Sequence, residues 1–340
     1  MPKAVRFRDT LLERFEPDLL ALPRSTPAVV ALSGGLDSCC LVTLLLHAGF
    51  SQLTACHLDH ALRPCSASDA EFVRAFCSKL AVPLFSKRVA VADLARSRHV
   101  SLETAGRTAR QALYAESAAR TGAAHVFLAH HADDQAETLL ARLLRGSGTR
   151  GLAGMRAIQP LRAPKTQNPT QHPPAPLLLC RPMLQIWRRE LESFAEQEHL
   201  AFCQDPSNTD PTPTRNRIRL QLIPELERLF GPSVRRNLLT TTQILRAEDD
   251  WLEAATPETG PELSVRMLRP LPLALQRRTL HRWLTGNVPG EIGFETVESV
   301  RSLLHSPRAK ANLPGGHHAR RTAGKLWIQK PADAPPLGPV

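Results

Sequence analysis

The sequence predicts an α/β protein, a doubly wound parallel sheet followed by a smaller, mainly helical C-terminal domain. Short apolar runs with strand character alternate with helical patterns through about residue 145, the order expected of parallel strands joined by crossover helices. The first run, Ala28 to Leu32, breaks at Ser33-Gly34-Gly35-Leu36-Asp37-Ser38 before an apolar helix that ends near Gly49. Beyond residue 215 the strand runs give way to helical, Arg-rich patterns. The expected domains are therefore residues 1–215, 216–330 and a tail at 331–340.

The elements follow in order. Residues 1–24 carry Leu11, Leu12, Phe15, Leu19 and Leu20 at helical spacing and read as a leading helix. Leu53 to Asp59 is a second strand that runs into His60-Ala61-Leu62-Arg63-Pro64. Ser68-Asp69-Ala70-Glu71 has capping-box spacing and opens a helix through Phe72, Phe76 and Leu80. Leu84 to Val91 forms a third strand, Ser101 opens a helix that reaches Arg120 and stops at Gly122, and His125 to Ala129 is a fourth strand. A helix with Leu139, Leu140, Leu143 and Leu144 follows to about Arg145. Residues 160–176, PLRAPKTQNPTQHPPAP, have no apolar period and read as an exposed, extended insertion. Helix returns from Trp187 to Leu200, a turn-rich joint occupies 205–213, and Asn216 to about Ala255 is mainly helical with a break at Gly231-Pro232. The remainder is a small helical domain closed by a hairpin near Gly315-Gly316 and Lys325 to Gln329, with a Pro-rich tail after Lys330 that reads as disordered.

Composition bounds the function. No run approaches membrane-spanning length and no apolar stretch follows a basic start, so a cytoplasmic protein is expected, with no membrane partner. The seven cysteines (Cys39, Cys40, Cys56, Cys65, Cys77, Cys180, Cys203) form no Cys-x-x-Cys pair, which argues against a disulfide framework and against zinc or iron–sulfur sites. Net charge is +11, and it is clustered: residues 141–165 hold six Arg/Lys and 301–330 hold seven, with no acid in either block. Such blocks attract polyanions, so nucleic acid is the first candidate partner and a solvated basic surface the alternative.

Segments 33–38, 57–63 and 130–138 each begin where a predicted strand ends, and a doubly wound sheet brings such segments to one crevice. At 33–38 the free N–H groups of a helix start lie at the positive end of its dipole, the glycines allow close approach, and Ser33 and Ser38 add hydroxyl donors. That combination suits pyrophosphate. Asp37, at the loop apex, either holds Mg²⁺ through water or caps its own helix. At 130–138 the sequence is His130-His131-Ala132-Asp133-Asp134-Gln135-Ala136-Glu137-Thr138. Adjacent His130 and His131 cannot both point inward from regular structure, so zinc ligation is not favoured; acids in a first helical turn also serve the dipole.

Ser33 to Ser38 resembles the SGGxDS signature of the PP-loop ATP pyrophosphatases, enzymes with a Rossmann-like sheet that split ATP between its α and β phosphates. The 130–138 stretch, with RLLRGSGTRGLAGM from Arg142 to Met155, resembles the HHxDDxxET motif and glycine-rich tail of the tRNA(Ile)-lysidine synthetases. His57 to Arg63 resembles that family's HxDHxLR segment, Arg181-Pro182-Met183-Leu184 its RPLL, and Leu313-Pro314-Gly315-Gly316 a C-terminal glycine turn. Asp205 to Asn208 and Arg215-Asn216-Arg217-Ile218-Arg219 resemble its DxSN and RNxIR segments. One departure stands at Glu103 to Tyr114: Arg107 and Arg110 keep the family spacing, but Gln111 replaces the usual Tyr.

The resemblance implies adenylation of the wobble cytidine of a CAU-anticodon isoleucine tRNA, then attack by free L-lysine to leave lysidine, AMP and pyrophosphate. It implies ATP and Mg²⁺ as cofactors, with Ser33, Gly34, Gly35, Leu36, Asp37, Ser38 and His57 at the nucleotide and Asp37 toward the metal. Arg107 and Arg110 would meet the charge of the departing pyrophosphate. A lysine side chain titrates near about 10.4, so an anionic group must hold the ammonium and take its proton; Asp134 and Glu137 are the candidates. His130 is a general base or a nucleotide contact, and Arg63, Arg145, Arg215, Asn216 and Arg217 would meet adenylate or tRNA. Longer members carry a further domain, so tRNA gripping of that kind is either absent here or falls to the basic blocks. A homodimer is left open. A tRNA-thiolating enzyme and a non-catalytic tRNA-binding module are the competing readings.

Overall fold

The computed structural model describes residues 7–61, 66–161, 176–204, 210–306 and 309–331. Arg63, Cys65, most of the Pro-rich insertion, Asp205 to Asn208 and the C-terminal tail lie outside them. The chain divides into two compact units, Met1–Arg246 and Ala247–Val340.

The first unit is built on a six-stranded sheet: β1 (Ala28–Ala31), β2 (Leu53–Asp59), β3 (Leu84–Arg88), β4 (His125–Phe127), β5 (Ile158–Pro160) and β6 (Leu178–Cys180). Their order is β3-β2-β1-β4-β6-β5. All pairings are parallel except β5 with β6, where Ile158 faces Cys180. The strand order reverses between β1 and β4, so a crevice opens there beyond the strand ends.

Alternation along the buried strands divides the core between the two faces. Ala28 and Val30 of β1 join Leu53 and Ala55 of β2 under the helices Leu36–His47, Ser66–Lys79 and Arg188–Gln197. Val29, Cys56 and Leu58 face the helix Leu102–Thr121 through Ala105, Ala109 and Leu113. That helix begins as expected, with Ser101 Oγ accepting from Thr104 N at 3.2 Å, and ends at Gly122 in the left-handed region, φ 70°.

Several elements differ from expectation for local reasons. The leading segment is two short helices, Phe7–Leu12 and Pro17–Leu20, because a proline at position 17 cannot continue a helix but can begin one. Val91 opens a helix to Ser97 rather than ending the third strand. β5 and β6 form an antiparallel rim, so the sheet is mainly, not wholly, parallel.

Sequence reading puts the domain boundary after residue 215, whereas in the structure the first unit runs to Arg246. The reason is packing: Ile218 and Ile223 are buried against Ala136 and Leu140, which holds the 214–230 segment on the helix Ala132–Leu143. In the second unit, helices Leu273–Asn287 and Phe294–Ser302 contribute to a core around Trp283, Leu284 and Val300. Ala319 and Leu326 bring into it a four-stranded antiparallel sheet: β7 (Leu263–Ser264), β10 (Lys325–Gln329), β9 (His318–Thr322) and β8 (Lys310–Asn312), in that spatial order. The expected hairpin is thus part of a full sheet.

Candidate active site

The loop after β1 is shaped by its own hydroxyls. Ser38 Oγ lies 3.2 Å from Ser33 N and donates to Gly35 O at 2.9 Å, and Gly35 N donates to Ser33 Oγ at 3.3 Å. Gly35 is the N-cap of the helix Leu36–His47, and no side chain caps it. The first-turn N–H groups are left for an external anion. Gly34 sits at φ +90°, and an added Cβ would meet Val73 Cγ2 at 3.2 Å; its carbonyl accepts from Cys203 N at 2.8 Å. Gly34→Ala should therefore strain the loop by about 1–3 kcal/mol. ATP turnover is expected to fall at least about tenfold with a lowered melting temperature, measured by pyrophosphate release and calorimetry.

Asp37 does not cap this helix. Its Oδ2 lies 3.4 Å from Arg188 and 3.8 Å from His131 Nε2, while Oδ1 is buried with no partner. Burial pushes the carboxyl above its usual range, partly offset by His131 and Arg188. Among the described residues no group of three or more His, Cys, Asp or Glu is spaced to hold a metal alone. An unpartnered carboxylate oxygen beside an anion cradle nevertheless fits Mg²⁺, which binds through one or two carboxylates together with phosphate oxygens.

Across the switch point, His130 and His131 follow β4, and the extended backbone at His131, φ −130° and ψ −177°, gives the adjacent side chains different surroundings. His130 lines the crevice. His131, 1% exposed, lies among three carboxylates: Asp37 at 3.8 Å, Asp133 at 3.6 Å and Asp134 at 3.7 Å. As N-cap of the next helix it donates N–H to Asp134 Oδ2 at 3.0 Å. Sequence reasoning missed His131 because an N-cap residue has no helical face to assign.

Burial pushes His130 down to about 4 against the pull of Asp134, so it is neutral at pH 7. Its unfolded value near 6.5 is higher, so the unfolded chain takes up the proton first. The stability this linkage contributes is present above pH 6.5 and lost as the pH falls toward about 4. Melting temperatures measured across that window should fall less steeply in His130→Gln than in the parent chain.

Asp134 and Glu137 stand on one face of their helix and are both buried. Burial would raise Asp134, but His131 and Arg215 hold it down to about 2. Glu137 has both oxygens engaged: Oε2 by Arg215 Nε at 2.7 Å and Oε1 by Arg219 Nε at 2.6 Å. Arg215 also reaches Asp134 Oδ1. Four residues apart in consecutive helical turns, the two arginines share a face.

The crevice has a volume of about 1220 Å³ and gathers Ser33, Gly35 to Ser38, Arg110, His130, Asp134, Arg215 and Asn216. Arg188 and Arg219 also line it and were not foreseen. Tyr114 lines it too, one helical turn beyond Gln111 on the same helix, so an aromatic hydroxyl is retained near the place where the family Tyr is lost. His57 stands behind the wall, its Nδ1 2.9 Å from Leu32 O, and steadies the loop backbone. Arg107, Arg145 and Arg217 are not among the lining residues; Arg145 donates to Ala141 O and Arg217 to Thr214 Oγ1. The glycine-rich tail folds back on its helix: Gln135 exchanges two bonds with the Met155 backbone, at 2.8 and 2.7 Å, and Arg142 holds the carbonyls of Gly151 and Gly154.

Strand order, glycine loop and crevice define a PP-loop nucleotide-binding domain, and residues 7–226 match the family model for the PP-loop domain. Residues 263–327 match the TilS substrate binding domain. A tRNA(Ile)-lysidine synthase of Geobacter sulfurreducens is 38% identical over 91% of this chain and 66% of its own length. One of Gloeobacter violaceus is 35% identical over 94% of this chain and 95% of its own. The U34-tRNA thiolase NcsA of Methanococcus maripaludis superposes with TM-score 0.55 at 14% identity, covering 71% of this chain and 78% of that one, a likeness of fold alone. The chain belongs to the tRNA(Ile)-lysidine synthase family.

Proposed function

We propose that this chain uses ATP to join free L-lysine to carbon 2 of the wobble cytidine in an isoleucine tRNA with a CAU anticodon, forming lysidine in the cytoplasm. The observation that carries the reading is the shared crevice. A pyrophosphate cradle at Ser33 to Ser38 opens onto the same cavity as Asp134, Arg215 and Arg219, with the buried Glu137 holding both guanidinium groups from behind. The cytidine O2 attacks the α-phosphorus, and the charge of the leaving pyrophosphate falls on the loop N–H groups, the Ser33 and Ser38 hydroxyls and Arg110. Mg²⁺, held at Asp37, would supply further neutralisation of phosphate charge. The lysine ε-amine then attacks carbon 2 and AMP departs with the O2 oxygen. Asp134 and Glu137 hold the incoming ammonium, whose proton passes to water in the crevice, while His130, pushed too low to act as the base, serves as a nucleotide contact.

Thiolation has less support. Cys39, Cys40, Cys56, Cys77 and Cys180 are buried, and burial pushes the Cys203 thiol, at the crevice wall, above its usual range. The deciding experiment incubates the purified chain with ATP, Mg²⁺ and a CAU-anticodon isoleucine tRNA transcript, with and without L-lysine, and follows AMP and tRNA mass. A lysine-dependent gain of lysine minus water on the wobble cytidine is the expected result. AMP formation without lysine incorporation would refute the acceptor, and no turnover at all would favour a binding module.

A further inference from the structure

One wall of the crevice is made of core. Cys56, Leu58, Leu113 and Leu128 belong to the apolar layer between the sheet and the helix Leu102–Thr121, and Ala31 packs against that layer, yet all five also line the cavity. The cavity therefore reaches from the loop after β1 in between helix and sheet, as a slot with apolar walls. Side chains on such walls forgo the dispersion contacts of a closed core until a ligand fills the gap.

Tyr114, the one tyrosine of the chain, stands in the same layer and lines the same slot. It is 9% exposed. Among the described residues its hydroxyl has no hydrogen-bond partner, and the oxygen keeps access to the cavity. Burial pushes the phenol above its usual range, so the group stays protonated at neutral pH and can both donate and accept. A buried tyrosine hydroxyl ordinarily finds a partner in the fold, and here the open side is the cavity. Arg110, four residues earlier on the same helical face, and His60, whose ring lies against Gly106, are the polar groups beside it on the crevice wall.

An apolar slot with one free hydroxyl runs into an anion cradle that begins two residues after Ala31. Together they match a molecule in two parts, a flat heterocycle that carries phosphates. Asp134 and Glu137 belong to another helix, Ala132–Leu143, which supplies none of the slot walls, so the slot stands apart from the acid pair. We propose that this slot takes the adenine ring of ATP and that the Tyr114 hydroxyl hydrogen-bonds the edge of the base. The assignment rests on the ATP reading above and adds the group that recognises what the phosphates carry.

The test measures equilibrium binding of ATP, AMP and inorganic pyrophosphate to the full chain and to Tyr114→Phe, with Mg²⁺ and before any tRNA is added. The variant should bind ATP and AMP about tenfold more weakly and pyrophosphate within about twofold of the parent. Its melting temperature without ligand should be unchanged or raised, because Phe fills the same apolar volume and buries no unpaired hydroxyl. In steady-state turnover the KM for ATP should rise by the same factor, with the KM values for tRNA and L-lysine and the kcat within about twofold. Unchanged affinity for ATP and AMP overturns the inference. An equal loss for pyrophosphate does so too, by making Tyr114 a support of the loop, and a rise confined to the KM for tRNA would give the slot to the wobble cytidine. A parent chain that binds ATP but forms no lysidine refutes the enzymatic reading and leaves the slot standing on its affinities, whereas one that binds pyrophosphate but neither ATP nor AMP refutes the slot.

Discussion

Asp37→Asn should lower AMP and pyrophosphate formation by about a thousandfold while leaving the melting temperature unchanged or raised. The two effects separate because the carboxylate is poorly placed for stability. It is pushed toward its neutral form by burial, Oδ1 has no partner, and Oδ2 has only contacts of 3.4 and 3.8 Å to Arg188 and His131. Asn keeps the shape and removes the charge, so the native state loses little and avoids burying an anion. The reaction, by contrast, loses the carboxylate that stands among the loop donors where phosphate charge must be neutralised. Steady-state turnover and calorimetry on the same preparation decide the matter. Retention of more than about a tenth of the activity would remove Asp37 from the chemistry.

What the sequence made legible here is what is local. A strand, two glycines, two serines and a helix start lie within a dozen residues, and their meaning follows from backbone donors and dipole alone. The same holds for Ser101 and Gly122, whose cap and stop are read from adjacent residues. Asp134, Glu137 and Arg215 were singled out one by one, but their union was not visible. Arg215 meets Glu137 across 78 positions and Arg219 meets it across 82, and an ion pair between distant elements leaves no periodic trace. β5 and β6, three residues each, are too short to show alternation. The domain boundary moved for a related reason. The turn-rich joint at 205–213 marks a boundary in the sequence, and only the burial of Ile218 and Ile223 on Ala136 and Leu140 assigns the helical stretch after it to the first unit.

That union bears directly on the second half-reaction. Both oxygens of Glu137 are taken by guanidinium groups in the structure, so an incoming lysine ammonium must displace one of them. Arg215 is the one able to leave, since its side chain is 49% exposed while that of Arg219 is 24% exposed. Glu137→Gln should accordingly have a double effect. Arg215 and Arg219 lose a charged partner that is itself 1% exposed, a loss of about 3 kcal/mol, moderated by the access of Arg215 to water. The KM for L-lysine should rise about a hundredfold, because an amide oxygen offers the ammonium a hydrogen bond but no charge. Pyrophosphate formation measured at saturating tRNA and ATP should persist, because Glu137 lies outside the loop that receives the leaving group. Glu137→Asp, with its charge kept but drawn back by one methylene, should recover part of the lysine affinity. Equal losses in pyrophosphate formation and lysine incorporation would instead make Glu137 a scaffold for the whole crevice, with the ammonium held by Asp134 alone.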